Sequence, residues 1–346
     1  MRLAVDVMGG DHGPEELLQG VKVGLAADAA LTKVFVVGPE AELRPLLERI
    51  QLTDPRVEIR HASEVLTMHD DPGIAIRRKK DSSVMRAIEL VREGAADAVI
   101  SSGNTGALYA GSTVRLGRLE GVKRATIACI LPSKNGVWLL VDGGANPECT
   151  PEYLFQFGIM GSLYMKALLG IERPRVGVLS NGSEEGKGTD ATRTTARWLK
   201  QTDLNCNGYC EGYDLFLDRI DVCVCDGFVG NIVLKSSESL GRAVRDMLHE
   251  ELKTYHKPWR LLGAALAKGG LSRIRERMNP EVYGGAPLLG LNGCVIKIHG
   301  RASRTALGYA MHQARQIVNL QLSDSIVREL ARWSTIPTMD APVTTE

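Results

Sequence analysis

Residues 98–116 read AVISSGNTGALYAGSTVRL, and the pattern in this stretch decides the fold. The short apolar run Ala98–Ser101 predicts a buried strand. Ser101–Gly106 is small and polar, as in a turn, and Gly106–Leu116 repeats apolar residues at helical spacing. A buried strand followed by a polar turn and a helix is the repeating unit of an α/β protein with a parallel sheet.

The same unit recurs along the chain. Strands are predicted at Leu3–Met8, Val34–Val37, Val57–Arg60, Ala98–Ser101, Ile127–Leu131, Trp138–Val141, Val176–Leu179, Asp221–Cys225 and Val295–Ile298. Helices are predicted at Pro14–Ala26, Glu40–Ile50, Ser82–Glu93, Gly106–Leu116, Pro151–Leu168, Thr189–Lys200, Asn231–Leu252 and Thr305–Val318. Because the strands are almost continuously apolar, the chain is predicted to form three α/β/α layers around a mostly parallel sheet.

Length and charge limit the classes of protein that fit. The chain has 346 residues, 44% of them hydrophobic and 24% charged, as in a globular protein. We expect a single domain over residues 1–330, or two closely joined lobes, and a frayed tail over 334–346. With 42 basic and 41 acidic residues the net charge is +1, so nucleic acid is not expected as a partner. Any charged partner must meet a local patch.

The N-terminus reads directly into the strand Leu3–Met8 and lacks the apolar core and cleavage site of a signal peptide. No apolar run approaches the roughly 20 residues that a membrane-spanning helix needs. The protein is therefore expected in the cytoplasm.

The seven cysteines are scattered. Cys206, Cys210, Cys223 and Cys225 lie near one another in sequence and could form a zinc site, although no CxxC pair is present. The alternative is that they are reduced thiols that pack as small apolar side chains, and this alternative is favoured.

Five loops that follow predicted strands are rich in Gly, Asn, Ser and Asp. They are Asp6–Asp11, Ser101–Gly106, Asp142–Asn146, Ser180–Gly188 and Asp226–Asn231. In open parallel sheets, ligands bind beyond the carboxyl ends of the strands. The five loops are therefore predicted to line one polar pocket at one edge of the sheet. The simpler alternative is that the glycines serve tight turns.

Two of these loops have the features of an anion site. Ser101–Gly106 leads directly into a helix, so its backbone N–H groups and the positive end of the helix can face an anion. Lys187 stands between Gly186 and Gly188, where an ammonium group can reach a phosphate. Neither the Walker A spacing nor the dinucleotide fingerprint is present. The pattern therefore predicts a site for phosphate or a phosphoryl ligand.

Beyond single loops, an ordered set of strings resembles the PlsX family of phosphate acyltransferases from Met1 to about Leu320. The matching strings are Asp6–Asp11, Ser102–Leu108, Asp142–Asn146, Leu179–Gly188, Gly227–Lys235, Gly284–Gly293 and Lys297–Gly300. The resemblance implies transfer of a fatty acyl group from acyl carrier protein to inorganic phosphate, for phospholipid synthesis. It also implies an isocitrate/isopropylmalate-dehydrogenase-like fold, a homodimer, loose attachment to the inner face of the membrane, and hand-off to a glycerol-3-phosphate acyltransferase. Gly143 and Arg301–Ser303 depart from the family pattern.

This reaction requires positioning and oxyanion stabilisation more than a base or a nucleophile, since phosphate is already an anion and a thiolate leaves readily. Lys187 is assigned to phosphate and Asn231 to the thioester carbonyl. The remaining phosphate contacts are assigned to Ser102, Gly103, Asn104, Thr105, Gly106 and Gly186. The residues predicted to orient the site are Asp6, Asp11, His12, Asp142, Asn146 and His299. No metal and no cofactor is predicted.

Structural alternatives exist for several of these residues. Asn231 could cap its helix, and Asp6 and Asp142 could brace their loops. His12 and His299 could be hydrogen-bonding braces and not bases. A cysteine acyl-enzyme is not expected, because the candidate thiols lie in apolar strands.

Two basic surfaces are predicted to meet partners. A helical hairpin over about 253–279 is expected to hold the membrane surface, and the acidic acyl carrier protein is expected to meet a second cluster. The residues assigned to these surfaces are Arg77, Arg78, Lys79, Lys80, Trp259, Arg260, Arg273, Arg275 and Arg277.

Other functions fit parts of the pattern. A phosphate acetyltransferase that uses coenzyme A fits the same chemistry, whereas a nicotinamide-dependent dehydrogenase lacks its metal carboxylate cluster. A non-enzymatic, phosphate-binding scaffold at the membrane would leave the array of polar loops unexplained.

Overall fold

The computed structural model describes residues 1–184, 186–253, 266–267, 269–270, 272–274 and 277–336. Its strands are β1 (Arg2–Asp6), β2 (Lys33–Gly38), β3 (Val57–His61), β4 (Ala98–Ser101), β5 (Thr126–Pro132), β6 (Val137–Val141), β7 (Val176–Leu179), β8 (Cys206–Cys210), β9 (Val222–Val224), β10 (Ala286–Leu289) and β11 (Cys294–Lys297). Its helices are α1 (Pro14–Ala27), α2 (Glu40–Arg49), α3 (Pro72–Arg78), α4 (Ser83–Arg92), α5 (Thr105–Arg115), α6 (Pro151–Leu169), α7 (Asp190–Leu199), α8 (Gly227–Lys253), α9 (Arg304–Asn319) and α10 (Leu322–Arg332).

The strands form one sheet in the order β3-β2-β1-β4-β11-β10-β5-β6-β9-β7-β8. Strands from β3 to β11 in this order are parallel to one another, and so are the four from β6 to β8. Between these two halves, β10 is antiparallel to both β11 and β5, and β5 is antiparallel to β6. The mostly parallel sheet is therefore confirmed, and its two halves run in opposite directions.

Two hydrophobic clusters cover the two faces of this sheet. Alternate residues of β1 separate between them: Leu3 and Val5 join one cluster, and Ala4 joins the other. The first cluster includes the buried faces of α1, α6 and α9, and the second includes those of α4 and α5. A buried sheet between two helical layers is the predicted α/β/α architecture.

Four elements were absent from the sequence prediction: α3, β8, β10 and α10. Strand β8 reads CNGYC, in which Asn and Gly hide the strand pattern. Strand β10 reads APLL and begins beside a proline, which usually marks a strand edge. The predicted hairpin over 253–279 falls largely outside the described residues, as does the tail from 337 onward. Among the helices that are described, none combines the length and apolar character that a membrane crossing requires.

The prediction that all five polar loops share one edge of the sheet is wrong. The loops after β1 and β4 lie at one edge, together with the residues after β11. The loops after β6, β9 and β7 lie together at the carboxyl end of the other half, whose strands point the opposite way. The polar loops therefore form two groups, one at the carboxyl end of each half of the sheet.

Candidate active site

The first group is built on three polar side chains in neighbouring strands. Asp6 of β1 is in register with Ser101 of β4, which is in register with Lys297 of β11. All three are buried. The Ser101 hydroxyl donates to Asp6 Oδ2 at 2.7 Å, and Lys297 Nζ donates to the Ser102 carbonyl at 2.9 Å and to the Ile298 carbonyl. We call Asp6, Ser101 and Lys297 the polar row.

Burial sets the ionisation of this row. It lowers the pKa of Lys297 to about 8, and the carboxylates of Asp6 and Asp11 oppose that shift. Burial likewise raises the pKa of Asp6, while hydrogen bonds from Ser101, Ser83 and the Met8 amide, together with the Lys297 charge, oppose the increase. The row thus pairs a carboxyl group and an ammonium group beneath the loop, and each supports the charge of the other.

The polar row holds one peptide unit of the loop from both sides. Lys297 bonds the Ser102 carbonyl, and the Gly103 N–H of the same peptide donates to the Ser101 hydroxyl at 3.1 Å. Ser102 and Gly103 are themselves buried. A Cβ on Gly9 would lie 2.3 Å from Gly103 Cα, so the β1 loop packs directly against this peptide. Ser102 and Gly103, assigned to phosphate from the sequence, therefore form the base of the loop.

The next three N–H groups are differently placed. Among the hydrogen bonds of the described chain, none uses the amides of Asn104, Thr105 or Gly106, and these residues are half-buried. The Asn104 side chain caps α5 by accepting from the Ala107 amide at 3.0 Å. Free N–H groups at a helix start, with the positive end of the helix behind them, form an anion site. We call the N–H groups of Asn104, Thr105 and Gly106 the amide cradle.

Contacts with α3 fix the position of this cradle. The side-chain nitrogen of Asn104, Nδ2, donates to the carbonyls of Met68 and Asp70, both at 3.3 Å. A Cβ on Gly106 would lie 2.6 Å from Pro72, the first residue of α3, so any larger residue there would push α3 away. The cradle and α3 are thus one packed unit.

Unlike Asp6, the predicted orienting residues Asp11, His12 and His299 lie at the surface. The Asp11 amide donates to the Gly300 carbonyl at 2.7 Å, which ties the two loops together. His299 is exposed, and its Nδ1 accepts the Arg301 amide at 3.0 Å, so it acts as a brace. His12 is exposed and lines a groove of about 420 Å³ with Arg301 and neighbouring residues of α1 and α9.

The second group is organised by Asp142, which is fully buried at the end of β6. Its two carboxylate oxygens accept N–H groups from Ile127, Gly144, Ala145 and both the backbone and side chain of Asn146, at 2.6–3.2 Å. Burial raises the pKa of Asp142, and these N–H donors act in the opposite direction. Asp142 and Asn146 therefore shape the β6 loop. Bracing of this loop is the structural alternative that the sequence analysis gave for Asp142.

Asn231 faces this braced loop. Helix α8 begins at Gly227, and Asp226 caps it by accepting the Val229 amide at 2.8 Å. The prediction that α8 begins at Asn231 is wrong, and Asn231 is not its cap. A Cβ on Gly144 would lie 3.5 Å from Asn231 Oδ1, so the Asn231 amide lies against the β6 loop.

Lys187 lies in the loop after β7, on the same edge as the loops after β6 and β9. The loop is closed by Asn181, whose Oδ1 accepts the Gly188 amide at 2.9 Å, and Thr189 caps α7. Gly186 and Lys187 are exposed. Within the described residues the Lys187 ammonium has no ion pair with an acid, Glu184 included; Glu185 lies outside that set.

Helix α5 joins the two groups of loops. Tyr109 lies about 6 Å along this helix from Thr105. Its hydroxyl oxygen lies 3.0 Å from Asn146 Oδ1 and 3.2 Å from the Ala125 carbonyl oxygen, so its one proton is shared between these two acceptors. Tyr109 therefore links the helix that begins at the amide cradle to the β6 loop.

The cysteines do not supply a nucleophile or a described metal site. Burial raises the pKa of Cys129 strongly and that of Cys149 and Cys294 to about 12. Cys210 and Cys223 lie with their Sγ atoms 4.0 Å apart in the core. No group of three or more His, Cys, Asp or Glu side chains in the described parts of the chain could hold a metal ion.

One departure from the family pattern has a local explanation. A Cβ on Gly143 would lie 2.6 Å from Cys129 Sγ and 3.4 Å from Ile127. The Cys129 side chain therefore occupies the space that a side chain at position 143 would need, so glycine fits at 143 and a larger residue does not. At the other departure, Ser303 caps α9 and its hydroxyl donates to Glu281 at 2.7 Å.

Comparison with known proteins gives consistent matches over most of the chain. The model of the family described as fatty acid synthesis protein matches residues 1–325. A phosphate acyltransferase of Syntrophotalea carbinolica is 44% identical over 95% of this chain and 93% of its own length. One from Pelotomaculum thermopropionicum is 43% identical over 94% of each chain.

Solved structures share the fold at low sequence identity. A phosphotransacetylase from Streptococcus pyogenes matches with a TM-score of 0.60 at 15% identity, over 92% of this chain and 94% of its own. One from Staphylococcus aureus matches with a TM-score of 0.56 at 15% identity, over 94% of each chain. These likenesses support the α/β/α fold.

Proposed function

We propose that this chain, which belongs to the fatty acid synthesis protein family and is an acyltransferase, takes a long fatty acyl group from acyl carrier protein and transfers it to inorganic phosphate. Acyl transfer to phosphate follows from the family. The donor, the direct mechanism and the residue roles are our proposal.

The observation that carries the proposal is the amide cradle. Three unused N–H groups at the start of α5 suit a small anion such as phosphate, and Tyr109 of the same helix contacts the loop that Asn231 faces. From these two contacts with the β6 loop we infer that an anion at the cradle and the Asn231 amide, which can donate to a carbonyl oxygen, serve one site. We assign Lys187, from the neighbouring loop of that edge, to the negative charge of the phosphate.

In the proposed reaction, a phosphate oxygen attacks the thioester carbonyl carbon. A C–O bond forms, and the carbonyl electron pair moves to the oxygen, where Asn231 donates a hydrogen bond. The carbonyl then re-forms, the C–S bond breaks and the sulfur leaves with the electron pair. The proton of hydrogen phosphate ends on this sulfur, so acyl phosphate and the free carrier thiol are the products. No acyl-enzyme is required, which agrees with the raised pKa values of Cys149 and Cys294.

The deciding experiment mixes the purified protein with inorganic phosphate and long-chain acyl carrier protein and measures acyl phosphate. Short-chain acyl coenzyme A is tested in parallel. Faster turnover with the coenzyme would favour a phosphate acetyltransferase activity instead. Absence of acyl phosphate from either donor would reject the enzymatic proposal and favour the scaffold function.

We propose that the carrier docks beside the cradle, on α3 and the start of α4. Arg77, Arg78 and Lys80 are exposed there, whereas Lys79 is held by Asp70 at 2.9 Å. Lys80 and Arg115 line a groove of about 250 Å³. Ile74 is 54% exposed on α3. A basic surface with an apolar residue suits an acidic carrier, and α3 packs on Gly106, so the bound thioester would lie near the cradle.

Carrier affinity is expected to fall as salt rises, because the Debye length decreases from ~10 Å at 0.1 M to ~3 Å at 1 M. Replacing Arg77, Arg78 and Lys80 by Glu should raise the KM for acyl carrier protein and flatten its salt dependence. Arg173→Glu is the control. Arg173 is exposed and precedes β7, whereas the loop that carries Lys187 follows that strand. If neither salt nor these substitutions changed the KM, the basic cluster would be a solvated surface and not a docking site.

We also propose a homodimer that uses α8. Leu240, Val244, Met247 and Leu248 recur at helical spacing and are 44–67% exposed. Such a stripe favours burial against a second copy. A monomer in sedimentation equilibrium would contradict this proposal.

We propose that the protein is cytoplasmic and attaches loosely to the inner face of the membrane through the basic segment after α8. Its described residues expose Leu266, Ile274 and Met278, together with Arg273 and Arg277; Trp259, Arg260 and Arg275 lie outside the described residues. Apolar and basic side chains together suit an anionic bilayer surface.

Changing Arg273, Arg275 and Arg277 to Glu is expected to release the protein from anionic vesicles, because each basic residue contributes about 1 kcal/mol of attraction. Sedimentation with vesicles measures binding, and the soluble assay should remain largely intact. The matched variant replaces the same three residues by Lys and should still bind. Equal vesicle binding by the Glu and Lys variants would contradict a membrane role. We also propose that the attached protein hands acyl phosphate to a glycerol-3-phosphate acyltransferase, and this proposal would lose its support with the membrane role.

A further inference from the structure

Lys297 is a buried charge that the assigned roles do not use. It is 9% exposed, and the described chain buries no other Lys or Arg to this degree. A charged group in the core costs folding free energy unless it is well paired, and an apolar side chain of similar size often stabilises a fold more. The presence of a lysine here therefore requires a reason other than packing.

The contacts of Lys297 lead to the loop that carries the amide cradle. Its Nζ bonds the Ser102 carbonyl at 2.9 Å, and the N–H of the same peptide is held by Ser101 at 3.1 Å. Because the carbonyl and N–H of a trans peptide point in opposite directions, two bonds from opposite sides fix the plane of that peptide. Ser101 is in turn held by Asp6 at 2.7 Å.

The loop has few other means of holding this orientation. Ser102 and Gly103 carry almost no side chain to pack, and the buried Ser102 hydroxyl has no hydrogen-bond partner in the described chain. Glycine also leaves the backbone free to adopt many conformations. The orientation of the amides that follow Gly103 thus depends on the polar row.

We propose that Lys297 is a positioning residue for phosphate: its ammonium group fixes the Ser102–Gly103 peptide and so keeps the amide cradle aligned for the anion. This inference rests on the proposed function in that phosphate is the ligand. Lys297 does not touch the reacting atoms. Its charged form makes the stronger hydrogen bond to the carbonyl, so alignment is best while Lys297 is protonated.

The first test is Lys297→Met, which keeps the length of the side chain and removes the charge. Affinity for inorganic phosphate, measured by calorimetry without an acyl donor, is expected to fall roughly 10- to 100-fold, as for loss of a charged hydrogen bond. The KM for phosphate should rise more than kcat falls. The melting temperature should fall in either case, because Asp6 and the Ser102 carbonyl lose a buried partner, so phosphate affinity and the division between KM and kcat separate positioning from a purely structural role.

Lys22→Met is the matched control. Lys22 Nζ also bonds two backbone carbonyls, those of Ile50 at 2.9 Å and Gln51 at 3.4 Å, but it joins α1 to the end of α2, away from the cradle. It should leave phosphate affinity unchanged. An equal loss in both variants, or normal phosphate affinity in Lys297→Met, would overturn the proposal.

The second test compares pH profiles of phosphate affinity. With the pKa of Lys297 near 8, phosphate affinity of the natural protein should weaken as the pH rises through that value, once the ionisation of phosphate itself, measured with Lys297→Met, is subtracted. Asp6 and Asp11 are the charged groups that face Lys297. In Lys297→Met only the change due to phosphate itself should remain. A flat profile in the natural protein would overturn the proposal even if the variant failed to fold.

Failure of the proposed function gives a different result. If acyl carrier protein is not the donor, acyl phosphate is absent while phosphate still binds with this pH dependence. If the positioning role is wrong, acyl phosphate forms but phosphate affinity does not depend on Lys297.

Discussion

Lys187→Ala is expected to lower the rate of acyl phosphate formation roughly 100- to 1,000-fold at saturating acyl carrier protein, as commonly follows loss of one preorganised charge contact. Lys187 is exposed in a glycine-flanked loop, so its removal should leave the fold and its melting temperature unchanged. High phosphate concentration should restore part of the rate if Lys187 also contributes to ground-state binding. Steady-state kinetics with varied phosphate measures both effects.

Two further substitutions at 187 separate charge from shape. Lys187→Arg should restore little activity, because a planar guanidinium is larger and directs its hydrogen bonds differently from an ammonium group. Lys187→Met should behave like Lys187→Ala if the charge meets phosphate. If Lys187 only shapes the loop with Glu184 or Glu185, Lys187→Met would keep phosphate affinity near that of the natural protein.

Lys200→Ala is the matched control for these variants. Lys200 is exposed and follows the last residue of α7, whereas Lys187 precedes the first. The two lysines therefore flank the same helix, about 15 Å apart along its axis. Lys200→Ala should retain full activity. Near-normal acyl phosphate formation by Lys187→Ala would assign phosphate binding to the amide cradle alone.

The local pattern of apolar residues predicts most of the strands and helices, because these elements form where side chains must be buried. The apolar runs that become β1, β4 and β6, and the helical repeat of α5, lie within a few residues of their predicted bounds. The direction of each strand depends on which strands become neighbours, and such contacts are remote in sequence. One sign of reversal is nevertheless present. Asn135-Gly136 between β5 and β6 is a hairpin turn signal, and these strands are antiparallel.

The start of α8 was hidden for a different reason. Gly227 and Gly230 look like loop residues, yet both are needed for close packing inside the helix start. A Cβ on Gly230 would lie 1.9 Å from the Asp142 carbonyl, and one on Gly227 would lie 2.8 Å from the Asn146 carbonyl. Tertiary contact therefore overrides helix propensity at these positions.

The sequence identifies the candidate residues, but it does not show which of them support the loop and which are free to bind a ligand. Ser102 and Asn104 belong to the same polar loop, and only the burial of its base separates the held peptide from the free amides. Lys297 was missed as a site residue because it ends an apolar strand. A lone lysine inside the run Cys294–Ile298 is the signal that could have identified it. Tyr109 gives no such signal, since its bond to Asn146 joins distant segments.

Asn231→Ala is expected to lower kcat roughly 100- to 1,000-fold, the effect that commonly follows loss of one oxyanion donor. Because the Asn231 amide is assigned to the thioester carbonyl and not to phosphate, the KM for phosphate should stay close to its normal value. This division between kcat and KM distinguishes Asn231 from Lys187. Steady-state kinetics with each substrate varied in turn measures it.

Asn231→Asp separates catalysis from helix stability. The carboxylate has the shape of the amide but cannot donate to the oxyanion, and it adds a negative charge where negative charge develops, so the rate should fall at least as far as in Asn231→Ala. Position 231 is the fifth residue of α8, beyond the first turn, so the added carboxylate should change helix stability little and the melting temperature should stay close to normal. Ser236→Asp is the control, since Ser236 is exposed one and a half turns further along α8. An Asn231→Asp variant that is both stable and active would show that position 231 serves the helix, and the carbonyl would then need another donor.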